Sequence, residues 1–133
     1  MGNTLNNHFN RIGVDVTGNK TLAAVDCGVV QNATVDAIVF TLPSTALGLT
    51  FTFKNGGRYD NAVGFAISPA AADGITGGGL ATPVINKDIL NLKAVAEPGN
   101  EITIVGTGSA GTGAWIITSG TSANTNGDFS REA

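Results

Sequence analysis

The sequence predicts an all-β protein: a single antiparallel β-sandwich or barrel-like, jelly-roll-like domain with an extended N-terminal arm. Three observations point there. Between Asp36 and Asn55, large apolar residues alternate with smaller or polar ones at a period of two, the signature of half-buried strands. Only 13% of the 133 residues are charged while Gly numbers 19, which suits short strands and turns and leaves little material for amphipathic helices. Turn signals recur along the chain and divide it into seven or eight runs, each of about five to seven residues.

The 36–55 stretch organises the rest. Ile38, Phe40 and Leu42 point one way, with Val39 and Thr41 opposite; Leu49, Phe51 and Phe53 share a face, with Thr50, Thr52 and Lys54 opposite. Pro43 cannot donate to a ladder and closes the first run, and Gly48 lets the chain turn before the second. The unit is two strands with a short connection and a shared apolar face that other strands must cover.

Residues 1–18 form the expected arm, Asn-rich with isolated apolar anchors. Ile12, Val14 and Val16 alternate and suit a strand. Fully extended, the arm would reach on the order of 50 Å at about 3.3 Å per residue. The β domain is expected over 19–120. Its first strand falls within Val25–Asn32, with a bulge at Gly28, and places Cys27 in the strand. Asn55–Asn61 is a polar turn that carries Tyr59. Val63, Phe65 and Ile67 share the face of the next strand, which Pro69 closes. Ala70–Pro83 is a Gly-rich corner with Ile75 tucked inward; it lacks the Gly-Lys-Ser/Thr ending and following helix of a phosphate cradle. Val84–Ala96 reads either as a short helix starting near Asn86 or, preferably, as a strand with Leu90, Leu92 and Ala94 on a common face. After the Glu97–Asn100 turn, Ile102 and Ile104 point inward. Gly106–Gly113 is a hairpin loop leading to Ala114–Gly120, where Trp115 covers the core edge with its indole N–H bonded to a carbonyl or water. Residues 121–133 are a polar C-terminal tail with Phe129 as its anchor. No fixed internal period is visible, so the sequence carries no evident solenoid array.

Composition narrows function. Net charge is −3 and the pI about 4.8, so seven Lys and Arg cannot neutralise a run of phosphates and no nucleic-acid partner is expected. No apolar run reaches the roughly 20 residues of a membrane helix, and no membrane partner is expected. The N-terminus lacks the apolar core of a secretory signal, and Asn6 stands where a myristoylation pattern wants Ser or Thr. A single cysteine, Cys27, fits synthesis in a reducing cytosol. Asn19-Lys20-Thr21 and Asn32-Ala33-Thr34 match the glycosylation pattern as chance would in so Asn- and Thr-rich a chain. With one His and one Cys, and with Asp60, Asp73 and Asp88 isolated, no catalytic residues, metal ligands or cofactor site are expected and the chain is read as not an enzyme. Few charges and a mean hydropathy of +0.19 point to apolar surface buried against other chains.

Several segments together carry a resemblance. They are Thr21–Gly28 with its Ala-x-Asp-x-Gly opening, Ile38–Pro43 followed by Ala46–Phe53, Asp73–Gly78, Pro98–Val105, Gly113–Ile117 and Gly120. Over residues 20–120 this order resembles the small decoration (cement) and head-fibre-like proteins of tailed-phage capsids. The family's usual Tyr after the closing Trp is replaced here by Ile116. The resemblance implies a virion protein, made in the host cytoplasm, that sits on the capsid exterior as a homotrimer bound to the major capsid protein and stabilises the shell. On that reading Leu5, Phe9, Arg11 and Ile12 of the arm grip the capsid. The alternative is a phage fibre or host-receptor module, with Tyr59 and Trp115 as glycan contacts. A hydrolase with a hidden carboxylate pair is a third reading.

Overall fold

The computed structural model describes residues 12–80, 83–120 and 129–133. The chain is nearly all β. Its strands are β1 (Gly13–Val16), β2 (Lys20–Thr21), β3 (Val30–Ala33), β4 (Ile38–Thr41), β5 (Thr50–Asn55), β6 (Phe65–Ser68), β7 (Asp73–Gly77), β8 (Ile89–Asn91), β9 (Glu101–Gly106), β10 (Gly111–Gly120) and β11 (Ser130–Arg131). Among the described residues there are also two single 3-10 turns, Ala24–Asp26 and Lys93–Val95.

The strands form two mixed sheets, a six-stranded one in the order β1-β3-β5-β9-β10-β7 and a five-stranded one in the order β11-β8-β6-β4-β2. The expected purely antiparallel arrangement is corrected: β1–β3, β3–β5, β2–β4, β4–β6 and β7–β10 pair in parallel. Period-two patterning identifies a strand but says nothing about its direction. The first six strands alternate between the sheets, so each crossover joining two parallel neighbours is itself a strand of the opposite sheet. That satisfies the long connection a parallel pair needs without a helix. The coils are unequal. Gly13 lies opposite Val30 and Val30 opposite Thr52, while Lys20 lies opposite Phe40 and Ile38 opposite Phe65. These unequal offsets explain why no sequence period betrays the winding.

The two runs of the 36–55 stretch are β4 and β5, and they belong to different sheets. Their shared apolar face is the core between the sheets, where Phe40 meets Phe53 at a centroid distance of 5.0 Å. Phe40 also meets Phe65 edge-on at 5.7 Å, and Phe51 packs on Trp115 at 5.6 Å. Such pairs contribute about 0.5–1.5 kcal/mol each beyond area burial. As expected, Ile38, Leu42, Val63, Ile67, Ile75, Ile102 and Ile104 are buried with them.

Four local expectations are revised. In β8 the inward residues are Ile89 and Asn91, while Leu92 is 46% exposed, a one-residue shift from the expected register. Asn91 is tolerated inside because its Oδ1 accepts from Asn55 Nδ2 at 2.6 Å and its Nδ2 donates to Asn100 Oδ1 at 3.2 Å. Ala70–Pro83 is not all corner: Asp73–Gly77 is a strand, and the turn follows it at Gly77–Gly79, all with positive φ. Cys27 lies on an exposed turn rather than in a strand, and its Sγ accepts from Thr50 N–H at 3.4 Å. The termini are built into the sheets where they are described. β1, within the expected arm, pairs with β3 and buries Val16; in the C-terminal tail Phe129 is buried against Phe65 and β11 pairs with β8.

Candidate functional site

Because β1, β3 and β5 run in the same direction, their C-terminal ends deliver three consecutive chain segments to one end of the six-stranded sheet. A groove of about 560 Å³ lies there, lined by Asp15 on β1 and Thr17 after it, Asn32 on β3 and Thr34 after it, and Gly56–Tyr59 with Ala62 and Val63 after β5. Backbone bonds from Thr34 N–H to the Val16 carbonyl (3.2 Å) and from Gly56 N–H to the Ala33 carbonyl (2.7 Å) tie the three segments together. The loop after β5 is fixed by Gly57 N–H on Asn55 Oδ1 at 2.9 Å and by Asn61 N–H on the Ala96 carbonyl at 2.8 Å. A Cβ at Gly56 would come within 2.5 Å of Asn32 Oδ1, so a side chain there would displace the Asn32 amide. The amide of Asn32 is in turn held by donating to Asp15 Oδ1 at 2.9 Å. The groove thus combines an oriented carboxylate–amide pair, the Arg58 guanidinium and the exposed ring of Tyr59.

A second surface lies on the outer face of the five-stranded sheet. Val39, Ala66 and Leu90 stand side by side there in register across β4, β6 and β8. They line a shallow depression of about 330 Å³, which Leu92 extends. At its rim Lys93 Nζ contacts Asp36 Oδ2 at 2.8 Å, and Gly64 N–H donates to Asp36 Oδ1 at 2.9 Å. The Lys93 ammonium, aided by that N–H, holds the Asp36 carboxyl below its ordinary pKa.

The structure separates the residues singled out from the sequence. Tyr59 is 74% exposed and lines the groove. Trp115 is fully buried against Phe51 and cannot serve as a glycan platform. No protein partner for its indole Nε1 is found among the described residues. Ile12 is exposed at the N-terminal end of β1, away from the groove, and its carbonyl accepts from Val30 N–H at 2.8 Å. Leu5, Phe9 and Arg11 lie outside the described residues. Asp15 escaped sequence reasoning, and Asn32 drew notice there only through a chance glycosylation pattern; their juxtaposition depends on the parallel β1–β3 register, in which Asp15 lies opposite Asn32.

Among the described residues, no three His, Cys, Asp or Glu side chains are grouped to hold a metal ion. The buried carboxylate of Asp73 is engaged structurally, accepting from Thr45 N–H at 3.0 Å. No protein-family model matches the chain, and no curated protein matches it in sequence.

Proposed function

We propose that the chain is a decoration protein of a tailed-phage capsid: a sandwich with an N-terminal arm that assembles as a homotrimer on the outside of the head, binds the major capsid protein and stabilises the shell without catalysis. The observation that carries this reading is the outward row Val39–Ala66–Leu90, a half-buried apolar stripe that continues into the exposed Leu92 and that a lone module would leave partly open to water. A second copy related by a cyclic axis covers the stripe. The edge strand β1, with Ile12 exposed just before it, supports attachment through the arm, since an edge offers unpaired backbone groups to a neighbouring chain. Leu5, Phe9, Arg11 and Ile12 then grip neighbouring capsid subunits. Stabilisation follows by mass action: a ligand of the assembled shell that ignores dissociated subunits shifts the balance toward the shell.

The test pairs two variants. Deletion of residues 1–11 spares β1 and its buried Val16, so the trimer persists by light scattering while cosedimentation with capsids is lost. Ala66→Lys places a charge in the stripe and yields a folded monomer. A shortened chain that still saturates capsids, or a wild-type chain that is monomeric at high concentration and ignores capsids, refutes the proposal.

A further inference from the structure

The groove at the ends of β1, β3 and β5 has a composition that capsid decoration does not use. We infer that it is a binding site for a neutral pyranose ring. A sugar ring presents an apolar C–H face and an edge of paired hydroxyls, each of which both donates and accepts. Tyr59 offers an exposed aromatic face for the first, adding contact area on a stiff side chain at low entropic cost. The Asp15–Asn32 pair offers a carboxylate and an amide held 2.9 Å apart for the second. Gly56 keeps the groove floor free of a side chain beside Asn32, and Arg58 supplies further donors. The volume of about 560 Å³ is within the usual range for small-molecule sites.

Charge selects among ligands. The groove is lined by the carboxylate of Asp15 and, as its one cation among the described residues, by Arg58, on a chain of net charge −3. A phosphate or sialic acid would meet one cation and one opposing anion there, whereas a neutral ring meets hydrogen-bonding groups of both kinds. The inference is independent of capsid binding, which is assigned to other surfaces.

The experiment is saturation-transfer NMR on the full chain with the methyl glycosides of glucose, galactose, mannose and N-acetylglucosamine, followed by titration. At least one glycoside is expected to receive saturation through the C–H face. Tyr59→Ala and Asp15→Asn each weaken that binding at least tenfold, while Tyr59→Phe, which keeps the ring, stays within threefold. Thermal melting checks that each variant is folded. The inference is overturned if none of the four binds, if binding survives Tyr59→Ala and Asp15→Asn, or if inorganic phosphate or N-acetylneuraminic acid binds the groove in preference to the neutral sugars.

Discussion

Phe129→Ala is the sharpest test of how the C-terminus is held. Phe129 is 1% exposed, and its ring meets Phe65 at 5.9 Å and 65°. Immediately after it, Ser130 and Arg131 pair with Leu90 and Ile89 of β8, and an Arg131 guanidinium nitrogen donates to the Ile75 carbonyl of β7 at 2.7 Å. The ring therefore anchors a segment that joins one edge of the five-stranded sheet to the end strand of the other. Truncating a fully buried Phe costs about 3–5 kcal/mol, from lost transfer energy plus the cavity left behind. A domain of this size has an unfolding stability of roughly 5–15 kcal/mol, so the loss is a large fraction of the total. With about 2.1 cal/mol/K of unfolding entropy per residue, the same loss lowers Tm by roughly 10–18 °C. Equilibrium urea unfolding followed by Trp115 fluorescence should show a lower midpoint with an unchanged slope, because the same surface is still exposed on unfolding. A loss below about 1 kcal/mol, the range of exposed surface substitutions, would show that the ring is not docked and refute the reasoning.

Further outcomes follow from other contacts. Gly64→Ala should destabilise by about 1–3 kcal/mol in the same urea assay, because its Cβ would lie 2.7 Å from both the Asn91 carbonyl oxygen and the Lys93 amide nitrogen, where only backbone can move aside. Trp115 emission should be blue-shifted and shielded from acrylamide, and Trp115→Phe should cost about 1–2 kcal/mol for lost volume. Asp36→Asn should cost less than about 1 kcal/mol near neutral pH, since its ion pair with Lys93 is exposed. The sign is set by the lowered carboxyl pKa: the stabilisation is present above the unfolded value near 3.8 and disappears as pH falls through the lower folded value, so wild type and variant converge in acid. Cys27 should react with a thiol reagent in the native state at a rate near that of the denatured chain.

How far the sequence could be read depends on what each signal encodes. Alternation fixes which side of a strand is apolar, so Ile38, Phe40, Phe51, Phe53, Ile102 and Ile104 were all identifiable as core. It failed at β8 because a buried side chain there is polar: Asn91 faces inward, satisfied by Asn55 and Asn100, and nothing local announces those partners. Tyr59 was legible as an aromatic in a polar turn, and Trp115 as a residue that covers the core, where it is fully buried; its alternative role as a glycan platform is removed by that burial.

By itself, then, the amino-acid order determined that the chain is β, where most strands turn and which aromatic rings form the core, since these follow from local periodicity and from the limits that Pro and Gly place on the backbone. Tertiary structure alone decided the parallel winding between two sheets, and with it the meeting of Asp15 with Asn32 beside the Gly56–Tyr59 loop. Strand direction and partner are long-range choices, made where coils of unequal length come to lie side by side, and no short window of residues records them.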